Sequence, residues 1–539
     1  MSGISGMYGG GREDGMEYIV KYTGDIMSLG YPTELLDAQF AIIELEEENP
    51  NDLLRYWQIT SFEPARQLVG LRAPVSRYMD YQSMEAACIP QVHRAYGLTG
   101  QGVLIGFVDS GLDLTHPEFQ GADGTSRIEA LWDLTAQGTP PEGFLRGAVY
   151  TREEIEAGQV SFEDYSGHGT AVAAIAAGQS GAAPGASIAM VKLSGAQTTD
   201  VMRGVKFLLD QAENRGMPCV VNLSYGTNWG SHWGQTLFEQ YIDQSAQRGR
   251  SVIVCAAGNE GSGAHHFQGR LTENGVLEIE FNISTRRERV YLSLWKNFAD
   301  DVVFELVLPN GQTTGPLTEG QRQIRFGDIR VSVYYGVPTH YSVSQEVLFF
   351  LEAPAGGLDG LWKLWGQGKK IADGRLNAWL PTVEEVTDRT AFLQPAPELT
   401  ITLPATALYP ISVGGFRPGT ETISPFSGWG APDCAGRMLL DLTAPAEGVR
   451  SARAGGGYDV YNGTSMAAPF VSGSAALMME WGIVQGNDLF LYNQRVKAFL
   501  CKEAYRSAYL TYPNPQWGYG RLNLCATMDT LASHLERGL

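Results

Sequence analysis

The sequence predicts a doubly wound α/β domain, interrupted by an antiparallel β-sandwich and preceded by a small α+β unit. Three observations carry this. Apolar runs that stop at polar turns, GVLIGFVDS (102–110), ASIAMVKL (186–193), MPCVVNLSYG (217–226) and RSVIVCAAGN (250–259), have the form of strands buried on both faces. Helix-like stretches lie between them, notably 199–215 and 234–248, which is the rhythm of a parallel sheet with crossover helices. Across 272–385 the pattern switches to alternation, as in VLEIEFNI, RVYLSL and IRVSVYYG, the period of half-buried antiparallel strands.

In chain order, residues 1–16 are a glycine-rich leader without the apolar core of a secretory signal. Residues 17–82 hold strand-like EYIVKY and FAIIEL, a helix-like PTELLDA, and the exposed-looking stretch SFEPARQLVGLRAPVSRYMDYQ. The α/β domain takes 83–266, the sandwich 267–386, and 387–539 completes the α/β domain, with apolar runs at 408–414 and 438–442. Residues 465–484 have the length of a membrane span, but Pro469 and Glu480 inside them fit a buried central helix better.

A net charge of −20 excludes nucleic acid as a partner class, since phosphate binding needs clustered Lys and Arg. The cysteines (Cys88, Cys219, Cys255, Cys434, Cys501 and Cys525) show no paired spacing and no C-x-x-C, and read as free thiols in a reducing compartment.

The chemistry enters at DVYNGTSMAAPFVSG (459–473). A turn at Asn462-Gly463-Thr464 delivers Ser465 to the start of a buried apolar helix, where a hydroxyl is either a helix cap or a nucleophile beside free backbone donors. Asp109 ends an apolar strand, His168 opens the helix of DYSGHGTAVAAIAAG, and Asn259 follows a third strand in AAGNEG. Each alone is more simply a cap, a turn former or a packed side chain. Together they supply a carboxylate, an imidazole, a hydroxyl and an amide donor at one kind of sheet edge, the set that acyl transfer requires.

In that order, DSG with HPEF, GHGT, AAGN and GTSMAAP resemble the motifs of the subtilisin-like serine proteases, and the resemblance covers about 85–266 and 387–530. The Asp, His, Ser order is subtilisin's own. The resemblance implies that Asp109 orients His168, that His168 is the general base, and that Ser465 is the nucleophile. It places Asn259 and the Ser465 N–H in the oxyanion hole. By the same resemblance, Ser224, Tyr225 and Gly226 are expected to form the edge that pairs with substrate backbone, Ala256, Ala257 and Gly258 to wall the primary pocket, and Thr464 to join the substrate-binding set.

No metal or cofactor is expected. The sequence after GHGT lacks the loop that carries the tight calcium site in secreted subtilisins, and no Cys or carboxylate at ligand spacing supports a metal at His265 and His266. His116 reads as a packed turn residue, Cys255 as an inert strand residue, and Trp295, Trp362, Trp365 and Trp379 as sandwich core.

The long segment between Asp109 and His168, and the β insertion between Asn259 and Ser465, resemble the Csp germination proteases of spore-forming bacteria. That narrower resemblance implies a jelly-roll insert, a prodomain that stays bound after self-cleavage, and a protein zymogen of cortex lysis as substrate. The expected self-cleavage lies between about Gln67 and Gln82, in a prodomain tail laid against Ser224-Tyr225-Gly226. The expected location is cytoplasmic or spore-associated, with no membrane partner. Two rival readings stand beside catalysis in trans: a pseudoprotease that senses a ligand, and an enzyme that matures itself and then serves as a scaffold.

Overall fold

A computed structural model describes residues 16–45, 50–73, 82–121, 123–317, 319, 322–339, 342–387 and 389–536. The leader lies outside them except for Met16, as do residues 74–81 of the expected cleavage segment.

The apolar runs form a nine-stranded sheet in the order Thr422–Ile423, Ile411–Arg417, Ser251–Ala256, Cys219–Leu223, Leu104–Asp109, Ser187–Lys192, Ile128–Asp133, Ala148–Thr151, with Leu442–Pro445 also paired to Ile411–Arg417. Pairing is parallel within the sheet. It is antiparallel at Ala148–Thr151 and Thr422–Ile423. Alternate residues of one strand feed opposite layers, as the two-residue period of a strand dictates. Ile105 and Phe107 pack with the helices His168–Ala177 and Thr464–Met479. Leu104 and Val108 pack with Thr198–Asn214 and Leu237–Ala246. Apolar residues on both strand faces therefore follow from helices on both faces. Thr464–Met479 is wholly buried in the first layer, so the span-length segment is a core helix.

The alternating stretch makes two antiparallel sheets, one of six strands and one of four. Leu292, Val333 and Phe349 of the first and Phe281, Phe304 and Trp362 of the second share a single core. One of the four strands of the smaller sheet is Ala391–Phe392, past the end of the alternating stretch. Of the four tryptophans expected there, only Trp362 lies in that core. Trp379 and Trp295 pack at the junction with the α/β part, and Trp365 is 37% exposed.

Two expectations are corrected. PTELLDA is not helical: Thr33–Leu35 is a strand paired with Phe40–Leu45, in a four-stranded antiparallel sheet completed by Met16–Tyr22 and Ile59–Pro64. Asp37 closes that hairpin by accepting from the N–H groups of Gln39 and Phe40, so strand pairing overrides the helix-forming residues. Among its described residues this unit has only 3-10 turns, and is β rather than α+β. Second, not all thiols are free: Cys88 and Cys525 form a disulfide, while Cys219, Cys255 and Cys501 are buried free thiols and Cys434 is exposed. The pair joins the start of the helix Ile89–Tyr96 to the helix Leu524–Glu536, a meeting that only the tertiary fold creates.

The N-terminal sheet docks on the helix layer through charge. Arg203, fully buried on Thr198–Asn214, binds Glu17 at 2.8 Å and Glu34 at 2.5 Å, and Arg146 adds a second cation to Glu17 at 2.6 Å. Glu63 accepts from the N–H groups of Leu237 and Phe238, both at 2.9 Å, at the start of Leu237–Ala246.

Candidate active site

Three of the singled-out residues converge at the carboxyl end of the sheet, and each arrives on an element whose local sequence sets its position. Asp109 is the last residue of Leu104–Asp109 and is buried. Its Oδ1 accepts from His168 Nδ1 at 2.7 Å and from the Ser110 N–H at 2.7 Å. His168 is the first residue of its helix, delivered by Gly167, and its ring stands edge-on to Tyr225 at 5.6 Å. Ser465 is the second residue of Thr464–Met479, where backbone N–H groups have no carbonyl one turn back to bond.

Ser465 Oγ does not point at the imidazole. It donates to the Leu71 carbonyl at 2.6 Å and lies 3.1 Å from the Ser224 carbonyl. His168 Nε2 is buried and has no hydrogen-bond partner among the described residues. The chain's own segment 66–73 fills the cleft. Val69–Gly70 pairs antiparallel with Tyr225–Gly226, and the Leu71 N–H donates to the Ser224 carbonyl at 3.2 Å. On the other side the Leu68 N–H donates to Ala196 O at 2.7 Å, and past Ser465 the Ala73 N–H donates to Asn462 O at 3.1 Å. The described part of the stretch that looked exposed in sequence, residues 61–73, is thus largely covered.

Gly463 explains the turn before Ser465. Its φ is +135°, and a Cβ there would stand 2.5 Å from the Leu71 carbonyl oxygen, so only glycine lets this backbone pass. The Leu71 side chain is fully buried. At Gly226 a Cβ would meet Thr402 Oγ1 at 2.4 Å and Leu71 Cδ1 at 3.1 Å, so Thr402 helps to close this pocket. Beyond the Leu71 carbonyl, Arg72 reaches a cavity of ≈ 670 Å³ whose lining includes Asp113, His116, Asp164, Arg453 and Tyr461. Arg72 Nη2 donates there to Ser166 O at 2.8 Å.

Asn259 lies beside Ser465 and is oriented from two sides. Its Oδ1 accepts from the Thr464 N–H at 3.0 Å, which fixes the amide, and its Nδ2 donates to Glu384 Oε1 at 2.9 Å. Thr464 Oγ1 also accepts from the Gly258 N–H at 3.0 Å, tying the start of the serine helix to the end of Ser251–Ala256. The Glu384 carboxyl is pushed up to about 8, first by burial and then by the neighbouring Glu260. Glu260 is itself held by His265 at 2.6 Å, so the His265-His266 pair stands in a hydrogen-bonded network, with His266 bonded to Glu398 O at 2.6 Å.

Sequence reading missed Asp164, Thr402, Glu384 and Leu71. Asp164 couples the first two site elements: Oδ1 accepts from Ser110 Oγ at 2.8 Å and Oδ2 from the Thr170 N–H and hydroxyl, each at 2.8 Å. Its place four residues before His168 was the only signal. Thr402 and Glu384 gave none, because they reach the site from segments near the sandwich. His116 is a packed residue as expected, accepting from the Glu118 N–H and standing edge-on to Tyr458.

The sequence profile of the subtilase family matches residues 100–281 and 393–520, which include Asp109, His168, Asn259 and Ser465. The chain belongs to the subtilase family. Among solved structures, this subtilase is similar to the CspB protease of Clostridium perfringens, with a TM-score of 0.77 and 37% identity over 84% of this chain and 98% of that one. In fold and sequence it is a Csp-type member of that family. Fervidolysin from Fervidobacterium pennivorans shares the fold, with a TM-score of 0.53 and 16% identity over 97% of this chain and 62% of that one. Among curated relatives, Subtilisin Savinase of Lederbergia lenta is 30% identical over 34% of this subtilase and 56% of its own length. Subtilisin-like protease 9 of Arthroderma benhamiae is 30% identical over 31% of this chain and 35% of its own length. The subtilase thus spans a third to just over half of the curated relatives it matches.

Proposed function

We propose that this chain is a serine endopeptidase that first cuts itself between Leu71 and Arg72. The observation that carries the reading is the Leu71 carbonyl, held 2.6 Å from Ser465 Oγ on a strand paired with Tyr225–Gly226. In the reaction, Ser465 Oγ swings from the carbonyl oxygen to the carbonyl carbon as His168 Nε2 takes its proton. Asp109 holds the imidazole tautomer and offsets the charge it gains. The oxyanion that forms receives the Ser465 N–H and the second hydrogen of Asn259 Nδ2. Collapse breaks the bond to Arg72, whose nitrogen takes the proton from His168, and leaves Leu71 as an acyl ester on Ser465. Water, activated by the same imidazole, hydrolyses that ester to a Leu71 carboxylate.

Residues 17–71 then form a cleaved prodomain on a catalytic unit built from 83–266 and 387–539, with the jelly-roll insert at 267–386 between them. The Arg203, Glu17 and Glu34 contacts do not involve the cut bond, which supports a fragment that stays bound. The substrate in trans that we propose is a protein zymogen such as a spore cortex-lytic enzyme. The disulfide weighs against a strongly reducing cytoplasm, so spore association is the location we favour. Sequencing the new N-terminus of purified protein tests the reading: a start at Arg72 supports it, and an intact chain under conditions where the protein is folded removes it.

A further inference from the structure

Upstream of Leu71 the tail reaches the sandwich at Arg66. Arg66, the fifth residue before Leu71, is pinned through its backbone: its N–H donates to Thr198 Oγ1 at 3.0 Å and its carbonyl accepts from the Thr198 N–H at 2.8 Å. Its guanidinium lies 4.7 Å from the ring centre of Trp229, within cation–π range, and Nη2 is 3.6 Å from Glu346 Oε2. The Arg66 and Glu346 side chains are only 16% and 11% exposed.

The walls belong to different parts of the fold. Trp229 follows the edge strand Tyr225–Gly226, while Glu346 stands on Ser344–Glu352 of the six-stranded sandwich sheet. Both are held from behind. Glu346 Oε1 accepts from Ser293 Oγ at 2.7 Å, and that hydroxyl accepts from Trp295 Nε1 at 2.9 Å. Trp229 stacks on Tyr291 of the sandwich, with ring centres 3.7 Å apart. A carboxylate steadied by a hydroxyl, facing an aromatic ring braced by a second ring, is a receptor for a planar cation.

We propose that the inserted sandwich builds a substrate subsite, formed by Glu346 and Trp229, that selects an arginine five residues before the residue whose carbonyl is cut. This rests on the serine endopeptidase reading above. The tail is then a first substrate whose side chains report the preference, and the same subsite reads protein substrates in trans. The insert acts as a specificity element.

The test uses the full-length, self-processed protein and fluorescence-quenched peptides spanning EPARQLVGLRAP, with arginine, alanine or glutamate at the Arg66 position, in excess so that they displace the retained tail from the cleft. The arginine peptide is expected to have a kcat/KM about 10- to 100-fold above the alanine peptide, carried by KM. Glu346→Gln shrinks that ratio to about threefold or less with the melting temperature unchanged, and Glu346→Arg favours the glutamate peptide. Equal kcat/KM for the wild type on the arginine and alanine peptides overturns the proposal, as does a preference that survives Glu346→Gln. An enzyme that cuts a general protein substrate such as casein but none of the peptides also overturns it. Loss of Ser465-dependent self-cleavage in the wild type is the separate outcome that removes the endopeptidase reading.

Discussion

Ser465 Oγ and the Leu71 carbonyl oxygen stand 2.6 Å apart although 394 residues separate them. The serine is engaged with a peptide bond of its own chain, while His168, paired with Asp109 at 2.7 Å, waits with its Nε2 unpartnered among the described residues. Because the bond is already bound, self-cleavage is a first-order process whose rate constant reports the chemical step without a binding step. Each site residue is therefore testable without a known substrate.

Asn259→Ala removes one oxyanion donor and keeps the Ser465 N–H. Self-cleavage is expected to slow by about 100- to 1,000-fold, with the tail still paired to Tyr225–Gly226. A time course on denaturing gels reads this directly, and an unchanged rate excludes Asn259 from the hole.

Glu384 puts a titration next to that hole. Its carboxyl, raised to about 8 by burial and by Glu260, is neutral below that pH and charged above it. Glu260, Glu385 and His265 are the other titratable groups of this network. Ionisation places a negative charge beside the developing oxyanion. The wild-type rate should fall roughly tenfold as pH rises through 8 toward 9.5. Glu384→Gln keeps an acceptor for Asn259 Nδ2 and should flatten that limb. A limb of the same size in the variant assigns it to another group.

On the proposed reading, Glu17 ties retention of the cleaved fragment to acid. Burial pulls its carboxyl up, but Arg203 and Arg146 outweigh burial and hold it at about 2, against 4.5 when free. A carboxylate with a depressed folded value contributes its stabilisation fully above about 4.5 and loses it as pH falls toward 2. The loss is about 3 kcal/mol at most. Native sizing of the cleaved protein should show fragment 1–71 bound at pH 6 and released by pH 3. Glu17→Gln should shift release to higher pH, and identical release curves would exclude this pair as the acid-sensitive contact.

The disulfide between Cys88 and Cys525 should contribute about 2–4 kcal/mol. A reductant or Cys88→Ser is expected to lower the melting temperature by several degrees, and the variant should no longer respond to reductant. A wild type that is equally stable in reductant means the bond is not formed in solution.

Much of the catalytic part was legible because its residues sit in local patterns. Asp109 ends a strand, Asn259 follows one, and His168 and Ser465 lie in the first turn of a helix, with glycines marking the turns that deliver those two. PTELLDA misled because its helix-forming residues are outweighed by pairing with FAIIEL, a contact local propensity does not encode. The Cys88–Cys525 bond, the Thr402 wall and the Glu384 contact join segments far apart in sequence, so spacing carried no trace of them. Trp379 was assigned to the sandwich core, but stacks between His232 and His266 where the sandwich meets the α/β part. Alternation reads as inward-facing without saying toward which neighbour.

The most direct test of the account is the intact mass, under denaturing conditions, of purified wild type and Ser465→Ala. The account predicts two wild-type chains, ending at Leu71 and beginning at Arg72, that run as one species by native sizing. It predicts a single chain of 58.6 kDa for Ser465→Ala. An uncut wild type, or the same cut in Ser465→Ala, would contradict it.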